Sequence, residues 1–322
     1  MNTFSSKTAL ITGLKGQDGS YLAEYLIAKG YRVIGTSHKA ECTFLLPGLS
    51  KEIEIRQLDL GDTAGVKTLI DNVRPDEIYN LAARSSSAQL FDDPIATAEI
   101  NGLATVRFLD AIREISSAIR FCQAGSSEIF AGNDASPQDE NTAYRPINAY
   151  GAAKVYAANM VTAYRKRHGL FATTAILFNH ESPRRGMDYV TRKITHTVAK
   201  IAHGQANELV LGNLDSRRDW GFAGDYARAM WLMLQQPIAE DFVIATGVSH
   251  SVREFCAIAF SHVGLDYRDF VRIDPQWARQ TETLELRGNP VKIKNLGWKT
   301  SVELAGLVRM MVDADLESIN SN

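Results

Sequence analysis

The stretch LITGLKGQDGSYLAEYLI, residues 10–27, places Gly13, Gly16 and Gly19 three residues apart, between an apolar run and a segment of helical periodicity. Glycines are used where the backbone must bend at unusual dihedrals or let another group approach closely. A strand, a glycine turn and a helix in that order aim backbone N–H groups and the positive helix end at a phosphate. The spacing is GxxGxxG, so the strict GxGxxG dinucleotide fingerprint is not met. Taken alone, the three glycines also read as turn or helix-packing residues.

Outward from that turn, apolar β-branched runs alternate with helical patterns. KTALITG, YRVIGTS, IEIRQLDL, EIYNLAA, IRFCQAGSS and FATTAILFN read as strands, and residues 19–29, 63–73, 94–115 and 149–168 as helices. Strands alternating with helices imply right-handed parallel crossovers, and strands apolar on both faces imply a sheet covered on each side. The expected fold is α/β, a doubly wound parallel sheet of Rossmann type. After Asn179 the rhythm changes to polar, turn-rich segments with helices near 224–236, 251–263 and 301–316 and a strand in DFVIATG. Residues 1–182 are therefore expected to form the dinucleotide-binding domain and 183–322 a smaller substrate domain, with 219–247 returning to the sheet.

Composition narrows the partners. The 322 residues are 45% hydrophobic, enough for a sizeable core, and the net charge of −2, with acids and bases interspersed, argues against a nucleic-acid or membrane surface. Cys42, Cys122 and Cys256 are too scattered, and odd in number, for a disulfide framework or a zinc knuckle, and read as buried or idle thiols. No segment has the apolar length of a bilayer span, and the start of the chain does not read as a signal peptide, so a cytoplasmic location is expected.

Cofactor choice is read at the tip of the second strand. An NAD site usually carries a carboxylate there for the ribose, whereas a 2′-phosphate prefers cations. Here the tip carries His38 and Lys39, which favours NADP; both also read as solvated loop residues. Asp59 and Leu60, ending the third strand, fall where the adenine edge would lie.

Tyr150 and Lys154 form YxxxK in NAYGAAKVYA, one helical turn apart on a shared face. An ammonium beside a phenol stabilises the phenolate and is expected to pull the tyrosine pKa toward the working pH, making Tyr150 a base for alcohol oxidation. An exposed tyrosine stacked on a lysine stem is the plainer alternative. GSSEIF sets Ser126, Ser127 and Glu128 at the carboxyl edge of the sheet, where open α/β folds bind ligands. A hydroxyl there can bond a reacting sugar oxygen. A carboxylate can remove the C–H proton acidified by a neighbouring ketone while a hydroxyl leaves from the next carbon. Glu128 reads equally as such a base or as a capping or ion-paired loop residue.

GLKGQDGSYLAEYL, YNLAARS, GSSEIF, YGAAK, LFNHESPRRG, VTRKIT, RRDWGFAGDY and IATGVSHSVREF together resemble the GDP-mannose 4,6-dehydratase family of extended short-chain dehydrogenases, from about Ala9 to Leu316. The resemblance implies conversion of GDP-mannose to GDP-4-keto-6-deoxymannose with NADP. It implies the oxidation pair in Tyr150 and Lys154, which also contact cofactor, and the C5/C6 acid–base group in Glu128. Ser126 stands where the family usually has threonine. Cofactor contacts are implied at Gly13, Gly16, Asp18, Asp59, Leu60, Leu81, Ala83, Ser85, His180 and Arg185. Asn179, Lys193, Arg218, Arg279 and Glu282 are implied to hold the GDP-sugar, with Ser85, Ser126 and Glu128 on the sugar side.

Two segments depart from the family. SHKAECTFLL replaces an arginine pair and a basic loop that meets a neighbouring subunit, which bears on NADP preference and on a tetramer. AARSSSAQL lacks the usual glutamine and brings Arg84 close to the cofactor or sugar, leaving another GDP-sugar such as a GDP-mannoheptose, or a GDP-4-keto-sugar reductase or epimerase activity, as the alternatives. Ala152, Ala153, Ala157 and Ala158 give the Tyr150 helix a small face. It suits either packing on the sheet or the four-helix interface by which relatives form homodimers.

Overall fold

The computed structural model describes residues 6–38, 52–85, 93–277 and 285–321. Lys39, Cys42, Arg279 and Glu282 lie outside the described residues. Six strands, β1 (Thr8–Thr12), β2 (Arg32–Ser37), β3 (Ile53–Gln57), β4 (Glu77–Asn80), β5 (Arg120–Ala124) and β6 (Ala172–Leu177), join the strand Phe242–Ile244 in one sheet. Their order is β3-β2-β1-β4-β5-β6 with Phe242–Ile244 outside β6, every neighbour parallel. The helices that position the site are α1 (Gln17–Ala28), α2 (Thr63–Val73), α3 (Pro94–Ala98), α4 (Ala104–Ile115), α5 (Ala149–His168), α6 (Val190–Ala202) and α7 (Ala223–Leu234).

Strand side chains alternate between two buried faces. Ala9 and Ile11 of β1 pack with Leu22 and Leu26 of α1 and Met230 and Met233 of α7, while Leu10 between them packs with Val66 and Ile70 of α2, Phe108 of α4 and Val161 of α5. The sheet is therefore apolar on both sides, as a doubly wound topology requires. A separate apolar cluster joins α6 to the helices Val252–His262 and Leu304–Asn320 around Trp220 and Phe255.

Strand order reverses beside β1, which opens a crevice at the carboxyl ends of β1 and β4. Gly13 turns the chain out of β1 at φ +68°, and a Cβ there would meet the Ala82 backbone nitrogen at 2.8 Å. Only glycine accepts both the dihedral and the contact.

Residues 94–115 are one helix in the sequence pattern but an interrupted one in the fold. A single π turn, Glu99–Leu103, separates α3 from α4. It aims Asn101 at the chain leaving β4, where its amide accepts from Arg84 N (2.9 Å) and donates to Arg84 O (3.0 Å). Such turns re-aim one side chain at the cost of regular hydrogen bonding, which periodicity does not register.

Phe121 of β5 is fully buried, its ring stacked on Phe108 with centroids 6.2 Å apart. Phe121→Ala should lower the stability to urea by about 3–5 kcal/mol with an unchanged denaturant slope. A loss below about 1 kcal/mol would show that this face is not a packed core.

Candidate active site

Hydrogen bonds run unbroken across the carboxyl ends of β1, β4 and β5. Thr12 Oγ1 donates to Asn80 Oδ1 (2.7 Å), and Asn80 Nδ2 donates to Gln123 Oε1 (2.7 Å). Gln123 Nε2 donates to Ala124 O (2.9 Å), and that carbonyl also accepts from Lys154 Nζ (2.7 Å). All of these side chains are buried, so each polar atom needs its partner. Thr12 Oγ1 also accepts from Leu81 N and Ala82 N (both 3.0 Å), which ends β4 before the LAA stretch.

Above this edge lies a cavity of about 750 Å³. It brings together Ser126, Glu128, Tyr150 and Lys154 with Asp18, Leu81, Ala83, Ser85, Asn179, His180, Arg185, Lys193 and Arg218. Gly13, Gly16 and Gly19 form the neighbouring turn, while His38, Asp59 and Leu60 lie at the tips of β2 and β3, outside this cavity. His38 is exposed, and its carbonyl accepts from Gln57 Nε2 at 3.3 Å. Lys193 Nζ donates to Val210 O (2.8 Å), and Arg218 Nη1 to Arg217 O (2.8 Å).

Tyr150 and Lys154 are buried, with Lys154 Nζ 5.6 Å from the Tyr150 ring centroid. The expected acidification of the phenol by Lys154 is not what the structure shows. Burial raises the Tyr150 phenol well above its ordinary value, against a hydrogen bond from Ser126 and the charge of Arg185, and burial lowers Lys154 to about 8. Solvent exclusion disfavours both charged forms, and the lysine is spent on the Ala124 carbonyl. Ser126 and Arg185 are the groups that favour the phenolate here.

Glu128 sits on a short 3₁₀ turn, Ser127–Phe130, capped by Ser126, whose Oγ accepts from Glu128 N (3.2 Å). Its Oε2 accepts from Asn148 Nδ2 at 2.9 Å. Arg84, between Ala83 and Ser85, which line the cavity, pairs its side chain with Asp93 at 3.7 Å. The α5 alanines also divide, since Ala153, Ala157 and Ala158 are buried within the chain and only Ala152 is exposed. Cys122 and Cys256 are buried, and burial pushes each thiol up to about 12.

Two lining residues, Tyr189 and Glu181, were not singled out from the sequence, although Glu181 lies within LFNHESPRRG. Tyr189 OH donates to Ser85 O (2.7 Å), and the Arg185 guanidinium lies 3.5 Å from the Tyr189 ring centroid. Glu181, buried, holds Arg185 at 3.1 Å and accepts from Thr191 Oγ1 at 2.6 Å. These contacts bridge segments about a hundred residues apart or lie within a turn of no regular period. Asn148 was visible only as a residue that favours helix starts.

The crevice, the glycine turn and a Tyr-x-x-x-Lys helix beside a serine at the end of β5 define a protein of the extended short-chain dehydrogenase/reductase class. The profile of GDP-mannose 4,6 dehydratase matches residues 10–311, and the chain belongs to that family. GDP-mannose 4,6 dehydratase 1 of Arabidopsis thaliana is 44% identical over 97% of this chain and 90% of its own, and the Homo sapiens GDP-mannose 4,6 dehydratase is 43% identical over 98% and 92%. UDP-glucose 4-epimerase from Thermotoga maritima, solved with UDP-glucose, superposes with a TM-score of 0.86 over 97% of this chain and 99% of that one. At 22% identity it shares the fold alone.

Asp18 and His180 form the charged hinge between α1 and the chain after β6. His180 Nδ1 lies 2.7 Å from Phe178 O and Nε2 2.9 Å from the Asp18 carboxylate. Both neighbours only accept, so the ring donates twice and is an imidazolium. Burial opposes each charge but is outweighed: Asp18 is held down at about 2 chiefly by His180, and His180 is raised chiefly by Asp18. The contribution of a lowered carboxyl is present above its unfolded value and lost as pH falls through about 2. That of a raised imidazole is full below its unfolded value and lost as pH rises through the folded one. Asp18→Asn should therefore cost roughly 1–3 kcal/mol between about pH 4 and 6.5, shrinking on either side, in thermal unfolding followed against pH.

Proposed function

We propose that the protein is a GDP-mannose 4,6-dehydratase that uses NADP. The observation that carries this reading is that a phenol, an ammonium and a second carboxyl-bearing segment, Tyr150, Lys154 and Glu128, line one cavity. A reductase or epimerase on this scaffold would have no evident use for Glu128.

The residues fit a nicotinamide dinucleotide. Gly13 holds the turn close against Ala82, and Gly16 at the N-cap of α1 brings no side-chain cap, so the start of the helix is left to a phosphate. His38, and Lys39 outside the described residues, support NADP over NAD. When bound, the nicotinamide supplies a hydride acceptor for sugar C4 and a donor for C6.

The protein supplies the proton chemistry. Tyr150, as the phenolate that Ser126 and Arg185 favour against burial, takes the C4 hydroxyl proton as that carbon is oxidised. Lys154 orients the ribose and holds the base of the site through Ala124. The C4 ketone acidifies C5–H; Glu128 removes that proton and delivers it to the C6 hydroxyl, which leaves as water with C5=C6 formed, and C5 regains a proton, equivalent to the one Tyr150 took, as C6 receives hydride. Asn179, Lys193 and Arg218 bind the GDP moiety, cations suiting a diphosphate, and Arg279 and Glu282 would complete that grip.

For assembly we infer a homodimer, supported by Ile95, Leu103 and Tyr156, which are exposed on the adjoining α3–α5 face. The loop tied to a tetramer falls outside the described residues. A cytoplasmic location accords with the observation that, among the described residues, no helix is long and apolar enough to cross a membrane.

Incubation with GDP-mannose and, separately, GDP-mannoheptose should yield the 4-keto-6-deoxy product from GDP-mannose, identified by mass and NMR. Preferential turnover of the heptose would move the assignment to that sugar. Glu128→Gln should still reduce bound cofactor with substrate yet lose dehydration by about 10²–10⁴-fold, and Tyr150→Phe should lose both steps. Normal dehydration by the Gln variant would refute the role of Glu128.

A further inference from the structure

Asn148 stands immediately before α5, and its side-chain amide makes two bonds at once. Oδ1 accepts from Gly151 N at 2.7 Å, capping the helix that carries Tyr150 and Lys154. Nδ2 donates to Glu128 Oε2 at 2.9 Å. The amide orientation follows from chemistry, because a backbone N–H can only face the oxygen and the nitrogen must then face the carboxylate.

Two further contacts draw the same segments together. A Cβ on Gly151 would meet Glu128 O at 2.7 Å, so the first turn of α5 packs directly on the backbone of Glu128. Ser126, which bonds Tyr150, also caps the turn through Glu128 N. The groups for oxidation and for elimination are thus tied at one point, and Asn148 bonds both the helix that carries Tyr150 and the Glu128 carboxylate.

We propose that Asn148 is the positioning residue for the elimination step. By committing Oε2 to the amide, it fixes the carboxylate and presents Oε1 of Glu128 to the sugar, where it can accept the C5 proton. The C5–H bond breaks and its proton joins Oε1; the electron pair forms C5=C6 as the C6–O bond breaks, and the same proton leaves with the C6 hydroxyl as water, so Glu128 ends the step ionised again. Asn148 touches no reacting atom; it acts through Glu128. This inference rests on the dehydratase reading above.

Asn148→Asp separates this role from capping. Aspartate caps a helix as well as asparagine does, but it sets an oxygen against Oε2 where a donor stood. Full-length variant and parent protein, loaded with cofactor and mixed with GDP-mannose, are followed by nicotinamide absorbance in a single turnover, by product analysis and by thermal unfolding. Reduced cofactor should accumulate at a rate within about threefold of the parent while dehydration slows by at least about tenfold. Asn148→Ser, which keeps a cap and lacks the amide donor, should show the same split and decides the matter if the Asp variant does not fold. Unchanged dehydration in a folded variant, or equal loss of reduction and dehydration, would overturn the role of Asn148 while leaving the dehydratase assignment intact. A parent protein that makes no 4-keto product from GDP-mannose would overturn the assignment and this inference with it.

Discussion

The structure depends on the buried line of hydrogen bonds from Thr12 through Asn80, Gln123 and Ala124 to Lys154. Three parallel strands are locked at the carboxyl edge where strand order reverses, and the lysine of α5 is drawn into the same line. A buried polar group without a partner costs about 1–3 kcal/mol, so a shift of one strand by a residue would break several bonds together. The crevice for a dinucleotide and the placement of Lys154 have one origin.

Solvent exclusion shapes the chemistry above that edge. It disfavours charge on Tyr150 and Lys154 alike, and the charges that persist are those with close partners: Asp18 with His180, and Arg185 with Glu181. Arg185 is held between Glu181 and the Tyr189 ring, near enough to bias the Tyr150 phenol. A second basic group thereby enters the site beside the lysine of the sequence motif. Glu128, held by Asn148 and capped through Ser126, lines the cavity beside the α5 N-terminus.

The fold was legible because its periodicities are strong. Alternating strands and helices, apolar on both sheet faces, specify a doubly wound topology before any contact is known, and the YxxxK and GSSEIF segments mark the sheet edge that bears chemistry. Legibility failed where an isolated contact overrides a pattern. The π turn at Glu99–Leu103 looks like ordinary helix in residue spacing, because the need to hold the Arg84 backbone is tertiary. Arg84 pairs with Asp93, a partner that residue spacing does not reveal. Tyr189, and Glu181 within LFNHESPRRG, were not singled out, since their contacts arise from partners brought together by folding.

Residue order by itself determined the strand and helix sequence, the glycine turn and the pairing of a tyrosine and a lysine on one helical face, because these follow from local propensity, period and the absence of a Cβ. Only the tertiary structure decided which charges survive in the site and which way each carboxylate points. Those depend on burial and on partners far away in sequence, and free energies of desolvation and hydrogen bonding are properties of the assembled neighbourhood, not of any stretch of chain.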